Sequence, residues 1–283
     1  MHKNILITGG CGFVGSSLGL AFKNKYPDCE IIAFDNLKRN GSELNLPRLK
    51  KAGIKFIHGD LRNKEDLDSI DKIDLIIDAA AEPSVLAGIN SAPDYLINTN
   101  LNGTINCLNL AAKHKADFIF LSTSRVYPIS DIEQTDFCET ETRFEISENQ
   151  KSVGMSQKGI SETFSLENAR SLYGATKLAS ELFVKEYREN YGIRTVINRC
   201  GVLTGPWQMG KADQGVIVLW LARHFWKGKL GYFGYGGEGK QVRDILHIND
   251  LFELIDYQIN NIDAMNYGLN PVRREGKIYV FNI

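Results

Sequence analysis

The chain has 283 residues, of which 43% are hydrophobic and 24% are charged, as in ordinary globular proteins. This composition excludes a disordered or fibrous protein, and the length suffices for one large domain or two small ones. Its 33 Lys and Arg balance 34 Asp and Glu, which gives a formal net charge of −1. A chain without a basic excess lacks the attraction for phosphate backbones that nucleic-acid binders need, so we expect no nucleic-acid partner.

The cysteines and the first residues bear on location. The five cysteines are scattered and form no C-x-x-C pair, so we expect reduced, mostly buried thiols and no metal site. The first apolar run ends after three residues in a glycine loop, far short of the ~20 residues that span a bilayer. We therefore expect a cytoplasmic protein with no membrane partner.

Short β-branched runs alternate with amphipathic stretches from residue 3 to about residue 123. That alternation is typical of βαβ units on a parallel sheet whose strands are buried on both faces. The predicted strands are Asn4–Thr8, Glu30–Phe34, Lys55–His58, Leu75–Asp78, Phe118–Ser122 and Thr195–Cys200. The predicted helices are Val14–Lys25, Lys64–Ile70, Asp94–Lys113, Leu172–Tyr191, Gln214–Lys227 and Asn249–Ile259.

Two segments depart from this rhythm. Residues 128–168 are polar, and we expect an excursion over the active-site edge, because long loops in compact domains are usually functional or disordered. After residue 200 the alternation loosens and a glycine- and aromatic-rich stretch follows at 231–244. We predict an α/β fold with a doubly wound parallel sheet in residues 1–200 and a smaller mixed lobe in residues 201–283.

The sequence T-G-G-C-G-F-V-G at residues 8–15 directly follows the first predicted strand and opens the first helix. Glycines at 9, 12 and 15 permit a tight turn and close approach to a pyrophosphate, which the helix N-terminus attracts. Asp35 ends the second strand 20 residues after Gly15, where an acceptor for the adenine ribose hydroxyls belongs. The pattern predicts a dinucleotide site, and the alternative is a structural turn with a capping Asp.

The carboxylate of Asp35 would repel the 2′-phosphate of NADP, so it favours NAD as the cofactor. Lys38 and Arg39 follow it closely and leave NADP open. Asp60 and Leu61 end the third strand and could border the adenine, although Asp60 could equally be a helix cap.

Tyr173 and Lys177 stand at positions i and i+4 of a predicted helix and so share one face. A free tyrosine has a pKa of about 10 and is a poor base at neutral pH, whereas a neighbouring cation and the positive nicotinamide of oxidised NAD favour the phenolate. Alone, this pair could belong to any amphipathic helix.

The segment Leu121–Tyr127 decides between these interpretations, because it places hydroxyls at the carboxyl edge of the sheet, where ligands bind. One of these hydroxyls can share a hydrogen bond with a sugar oxygen that Tyr173 deprotonates. No G-x-S-x-G elbow with a suitable His is present, so acyl transfer is not expected.

Together these motifs resemble the extended short-chain dehydrogenase/reductase superfamily. The resemblance implies an NAD-binding Rossmann domain, a smaller lobe for a nucleotide-diphosphate sugar, and Thr123, Tyr173 and Lys177 as catalytic residues. The cofactor-binding residues that we expect are Gly9, Gly12, Phe13, Val14, Gly15, Asp35, Asn36, Arg39, Asp60, Leu61, Ala80, Asn100, Tyr173 and Lys177.

Within this superfamily, four stretches resemble the CDP-tyvelose (CDP-paratose) 2-epimerases, namely Asp35–Gly41, Glu139–Arg143, Asp213–Gly215 and Gly239–His247. The resemblance assigns Arg243 to the substrate diphosphate, where a guanidinium suits phosphate geometry, and Gln241 is the second expected substrate-binding residue. An ion pair of Arg243 with Asp244 or Asp250 is the alternative. Arg199 is interpreted as structural.

The resemblance also bears on the reaction. Dehydratases of the superfamily need Asp-Glu after the strand threonine, where this chain has Ser124 and Arg125, so an epimerase is favoured. For inversion at C-2, the simplest route is transient oxidation at C-2 itself, with Tyr173 removing the hydroxyl proton. A UDP-hexose 4-epimerase and a non-enzymatic NAD-binding sensor remain open, because Ala79–Glu82, Pro128 and Val202 depart from the epimerase patterns.

Two expectations concern size and assembly. The sequence stops at Val280–Ile283, where relatives continue, so we expect a C-terminally truncated sugar-binding lobe. The predicted helices Asp94–Lys113 and Leu172–Tyr191 correspond to those that pair in relatives, so we expect a homodimer or a higher homo-oligomer.

Overall fold

A computed structural model describes residues 2–89, 91–210, 215–265, 269–270, 273–274 and 279–283. Its centre is a seven-stranded sheet in the order β15-β10-β5-β4-β1-β2-β3, with all neighbours parallel. The chain starts at β1, builds one half outward to β3, and returns to build the other half from β4. The strands are β1 (Asn4–Thr8), β2 (Glu30–Asp35), β3 (Lys55–His58), β4 (Leu75–Asp78), β5 (Asp117–Thr123), β10 (Thr195–Cys200) and β15 (Tyr279–Asn282).

This arrangement confirms the predicted doubly wound α/β fold, and all six predicted strands are present with ends that differ by at most one residue. A switch point lies between β1 and β4, where the two halves of the sheet diverge, and ligands of open α/β sheets bind at such a point.

Helices cover both faces of the sheet. They are α1 (Phe13–Lys25), α2 (Leu46–Lys51), α3 (Lys64–Asp68), α4 (Asp94–Ile97), α5 (Gly103–His114), α6 (Ile129–Glu133), α7 (Leu172–Tyr191), α8 (Val216–Phe225), α9 (Ile248–Asn260) and α10 (Ile262–Met265). The predicted start of α8 at Gln214 lies outside the described residues. The remaining strands form two-stranded pairs: β6 (Phe137–Glu139) with β7 (Phe144–Ile146), β8 (Met155–Ser156) with β9 (Gly159–Ile160), β11 (Val202–Thr204) with β12 (Ile245–His247), and β13 (Leu269–Asn270) with β14 (Arg273–Arg274).

Strand β5 shows why its middle, Phe118–Leu121, is apolar at every position. Phe118 and Phe120 belong to the core beneath α3, α5 and α7, whereas Ile119 and Leu121 belong to the core beneath α1 and α9. Successive side chains of a strand point to opposite faces, so a strand covered on both sides must be apolar at every position.

The predicted helix Asp94–Lys113 is interrupted. A π-helical turn at Asn98–Asn102 separates α4 from α5, and the helical path continues through it. Such turns are local insertions that are frequent at functional sites. Sequence periodicity over the whole stretch did not reveal it.

The last part of the chain returns to the main sheet. Strand β15 pairs with β10, and Leu251, Phe252 and Ile255 of α9 pack in the same core as α1. The predicted second lobe, residues 201–283, therefore contributes strand β15 to the main sheet. Strand β15 has only four residues and no alternation of polar and apolar side chains, so the sequence pattern did not predict it.

The polar segment 128–168 is folded. It contains α6 and two hairpins, β6 with β7 and β8 with β9. The Phe164 ring packs on Tyr127, with 5.8 Å between ring centroids, and the Phe144 amide donates to the carbonyl of Lys240. The excursion is therefore anchored to the sheet end and to the second lobe.

We expect Ile119→Ala to lower the free energy of unfolding by about 2 to 5 kcal/mol, because it leaves a cavity in a fully buried layer. Leu44→Ala is the control, since this side chain is 54% exposed, and it should change stability by less than about 0.5 kcal/mol. Urea unfolding of both variants measures the difference. Equal destabilisation would contradict the assigned core.

Candidate active site

A cavity of about 1120 Å³ opens at the carboxyl edge of the sheet, above the switch point between β1 and β4. The glycine loop after β1 forms one wall, and the turn after β5 with the start of α7 forms another. Residues of the second lobe complete it, among them Gln241 and Arg243. Every expected site residue lines this cavity except Asn100 and Lys177.

The glycine loop forms a tight cradle. Gly9 has φ +60°, and the Gly12 amide donates to its carbonyl over 2.9 Å. A Cβ on Gly15 would collide with the same carbonyl oxygen. Helix α1 begins here without a side-chain cap, so its first amides remain available to a phosphate. The loop therefore fits the pyrophosphate of a dinucleotide.

The Asp35 carboxylate is held beside this cradle. It accepts hydrogen bonds from the Cys11 amide over 3.0 Å and from the Leu37 amide over 2.8 Å. Burial raises the pKa of Asp35, and these amide hydrogen bonds oppose the rise. An acceptor fixed at the end of β2 suits ribose hydroxyls, as the sequence predicts.

Asp60 is fixed by its neighbours. Its carboxylate accepts from the Arg62 guanidinium and from Asn36 Nδ2 over 3.0 Å, and the Arg62 hydrogen bond chiefly holds the pKa of Asp60 well below its usual range. Asn63, not Asp60, is the cap residue of α3, so the cap alternative is wrong.

Lys38 and Arg39, the cations near Asp35 that leave NADP as an alternative cofactor, both contact other groups of the chain. Lys38 Nζ lies 3.3 Å from the centroid of the Tyr95 ring, and Arg39 Nη2 donates to the Met209 carbonyl over 3.3 Å. Because both cations already contact other groups, the structure favours Asp35 as an acceptor for the ribose hydroxyls of NAD over a site for the 2′-phosphate of NADP.

Thr123 and Tyr173 lie where β5 and α7 pack against each other. Thr123 ends β5, its Oγ1 accepts the Arg125 amide over 3.2 Å, and Thr123 and Tyr173 both line the cavity. Ser171 Oγ caps α7 by accepting the Gly174 amide over 3.1 Å. A Cβ on Gly174 would collide with the Arg125 carbonyl, so this close packing sets where Tyr173 stands.

The charge environment of Tyr173 differs from the expected one. Burial raises the pKa of Tyr173 to about 12. The Lys177 ammonium does not bind the phenol: its Nζ donates to the Leu121 carbonyl over 2.9 Å and lies 4.5 Å from the Phe120 ring centroid. Desolvation also lowers the pKa of Lys177. One of the three donors of the ammonium thus binds β5, and the part of Lys177 beside the phenol stays a prediction.

Asn100 lies behind the cavity wall, in the π-helical turn. Its Oδ1 accepts the Glu82 amide over 2.8 Å, and its Nδ2 donates to the Glu82 carbonyl over 3.2 Å and to Thr176 Oγ1 over 3.3 Å. It thus joins the loop after β4 to α7. Glu82, which sequence reasoning did not select, lines the cavity, and its carboxylate contributes to raising the pKa of Tyr173.

Arg199 is structural, as predicted. Its Nη2 lies 2.7 Å from Glu181 Oε2 inside the core, and its Nη1 donates to the Tyr127 hydroxyl over 2.9 Å. Glu181 also accepts from Ser122 over 2.6 Å. A buried ion pair is costly to break, so this network firmly joins α7, β5 and β10.

The substrate side of the cavity carries the expected Gln241 and Arg243. Gln241 Nε2 donates to the Phe233 carbonyl over 2.8 Å, and Arg243 Nη1 donates to the Val242 carbonyl over 2.9 Å. Within the described chain, Arg243 forms no ion pair, so the pairing with Asp244 or Asp250 is not found. Trp220 and Arg223 line the same side and had not been selected, because α8 read as a plain apolar helix.

Other predictions concern the whole chain. All five cysteines are free thiols, and all but Cys138 are buried. Among the described residues, no cluster of three or more His, Cys, Asp or Glu side chains suits a metal ion, and no helix is long and apolar enough to cross a membrane. Asp213 and Gln214 of the epimerase-like stretch lie outside the described residues.

Comparison with known proteins agrees with this geometry. The profile of the NAD dependent epimerase/dehydratase family matches residues 5–270. The chain belongs to this family. NAD is therefore its cofactor, in line with the glycine cradle and Asp35.

The relatives include both reaction types. CDP-paratose 2-epimerase of Salmonella typhi is 34% identical over 99% of this chain and 82% of that protein. dTDP-D-glucose 4,6-dehydratase of Dictyostelium discoideum is 28% identical over 95% of this chain and 62% of that protein. A crystal structure of dTDP-glucose 4,6-dehydratase from Bacillus anthracis in complex with NAD has a TM-score of 0.71 and 25% identity, covering 99% of this chain and 75% of that one.

We expect Gly15→Ala to weaken NAD binding at least about tenfold, because the new methyl group would displace the Gly9 carbonyl from the cradle. Gly19→Ala, one turn later in α1, is the matched control, since a Cβ there meets nothing closer than 3.5 Å. That variant should keep NAD affinity and gain up to about 1 kcal/mol of stability from helix propensity. Calorimetric titration with NAD separates the two, and equal affinities would contradict the cradle.

Proposed function

We propose that this protein is an NAD-dependent epimerase of a nucleotide-diphosphate sugar, and that it inverts C-2 of a CDP-sugar. The observation that carries the proposal is that Thr123 and Tyr173 line the same cavity as the glycine cradle and the Asp35 carboxylate. The 34% identity to a CDP-paratose 2-epimerase over nearly the whole chain supports the choice of substrate.

In the proposed reaction, NAD held by the glycine cradle and Asp35 would supply a reversible acceptor for the hydride of the sugar. Tyr173 removes the proton of the C-2 hydroxyl as general base and gives it back at the end of the cycle. Thr123 donates a hydrogen bond to the same sugar oxygen and keeps it in line with the phenol. Gln241 and Arg243 bind the nucleotide-diphosphate portion, with the guanidinium on the diphosphate.

The position of oxidation follows from carbonyl chemistry. A ketone at C-4 would acidify C-3 and C-5 and would leave C-2 unaffected. Oxidation at C-2 makes that carbon planar, and return of the hydride to its other face inverts it. Elimination of water needs a further acid and base, and Ser124 and Arg125 occupy the positions where the family resemblance expects them.

We expect the purified protein to convert CDP-paratose to its C-2 epimer, and Tyr173→Phe to lower kcat at least about 100-fold because the base is lost. NAD affinity of that variant should stay within about threefold of wild type, which separates chemistry from binding. Proton NMR of the sugar follows the conversion. In deuterated water no deuterium should enter C-2, whereas its incorporation would replace hydride transfer by enolisation.

The same assay tests the rival substrate. Inversion at C-4 of UDP-glucose, with CDP-paratose untouched, would make the protein a UDP-hexose 4-epimerase. NAD binding without turnover of either sugar would favour a sensor.

We further propose a homodimer that forms through α5 and α7. Leu182, Phe183 and Tyr191 of α7 are 55%, 40% and 62% exposed in the single chain, which leaves an apolar surface beside α5. We expect the mass of a dimer in sedimentation, and a shift toward monomer for the double variant L182E/F183E. Sedimentation of wild type as a concentration-independent monomer would contradict this.

A further inference from the structure

The Tyr95 ring of α4 lies against two cations at the cofactor side of the cavity. Lys38 Nζ lies 3.3 Å from the centroid of this ring, and Arg62 Cζ lies 4.9 Å from it. Lys38 comes from the loop after β2, Arg62 from the turn after β3, and Tyr95 from the helix after β4. Lys38 and Tyr95 line the cavity together with Asp35. One ring therefore contacts cations from two separate loops beside the acceptor for the adenine ribose.

We propose that Tyr95 is a specificity-determining residue for the cofactor, because its ring binds the Lys38 ammonium that would otherwise pair with the 2′-phosphate of NADP. The inference concerns the selection of NAD over NADP. It does not depend on which sugar nucleotide is the substrate.

Lys38 is the cation on which this selection depends. In the part of the chain that the structure describes, its ammonium forms no ion pair with a carboxylate. Arg62, in contrast, has its charge partner in Asp60, whose carboxylate accepts Arg62 Nε over 2.9 Å and Nη2 over 2.6 Å. A guanidinium bound twice by one carboxylate is already neutralised, so the ring matters most for the Lys38 charge.

The turn that carries Lys38 is fixed next to the ribose acceptor. Leu37 has φ +54°, a conformation that leucine rarely adopts, and its amide donates to Asp35 Oδ1 over 2.8 Å. The Lys38 amide donates to Asn36 Oδ1 over 3.1 Å. Since the backbone of Lys38 is held in this way, its flexible four-carbon side chain determines where the ammonium lies.

The contact between Lys38 and Tyr95 affects the two cofactors differently. A cation over the face of an aromatic ring is attracted by the ring quadrupole. NAD presents ribose hydroxyls to Asp35, and this leaves the contact intact. NADP presents a phosphate whose charge needs a cation, so Lys38 has to leave the ring. Specificity is a difference between two affinities, and the ring lowers only the affinity for NADP.

The test measures the ratio of NADP affinity to NAD affinity by calorimetric titration, without any sugar. We expect Tyr95→Leu, which removes the ring, to raise this ratio about three- to tenfold, the range that the loss of a cation–ring contact implies. Tyr95→Phe keeps the ring and should retain the wild-type ratio. Tyr257→Leu, which removes a 61% exposed tyrosine of α9, should also leave the ratio unchanged. Tyr95→Met removes the ring in a second way if the leucine variant does not fold.

A double variant identifies the cation. K38Q/Y95L should lose the gain of Tyr95→Leu, because no ammonium is released toward the phosphate. The Asp35 carboxylate opposes NADP in every variant, so the series is repeated with Asp35→Ser, which brings NADP binding into a measurable range. An unchanged ratio in Tyr95→Leu, an equal gain in Tyr95→Phe, or a gain that persists in K38Q/Y95L would each overturn the proposal. Cofactor binding can be measured even if the proposed epimerisation fails, so the two failures are distinguishable.

Discussion

The packing of the first turn of α7 against the turn after β5 is the constraint on which the candidate site depends. Gly174 allows α7 to lie directly on the Arg125 carbonyl, and any side chain there would push the helix away. Because Tyr173 precedes this glycine, the same contact determines its distance from Thr123. Two turns further on, the buried Glu181 and Arg199 pair fixes α7 to β10. Because α7 is held at both points, the Tyr173 phenol has a fixed position at the site.

The main sheet could be predicted because its strands carry their own signal. Strands β1, β4 and β5 are buried almost throughout and largely apolar, and the glycine loop needs residues without a side chain at fixed positions. Strand β15 could not be predicted, because distant contacts hold it: Asn282 accepts from the Tyr127 hydroxyl over 2.7 Å and donates to the Ile160 carbonyl over 2.9 Å. Nothing in four residues of local sequence encodes such contacts.

The candidate site divides in the same way. Spacing alone indicated which residues meet at the carboxyl edge, since strand ends and one helix face bring them there. Spacing did not indicate which hydrogen-bond partner each polar or charged side chain would have. Lys177 shares a face with Tyr173, yet its ammonium binds a backbone carbonyl of β5. Asn100 supports the Glu82 loop and does not line the cavity. These hydrogen-bond partners depend on where other strands and helices end, and the periodicity of one segment carries no information about that.

The opposed groups around Tyr173 bear on the epimerisation that we propose. A general base that must also return its proton within one turnover cannot be strongly biased to either form, because a gain in one direction is a loss in the other. Burial and Glu82 favour the neutral phenol, whereas Thr123 and Arg125 favour the phenolate. In a reaction that eliminates water, separate groups divide these tasks. In the proposed epimerisation one phenol takes both tasks, and in the chain alone burial outweighs the groups that favour ionisation, so the neutral phenol is the favoured form.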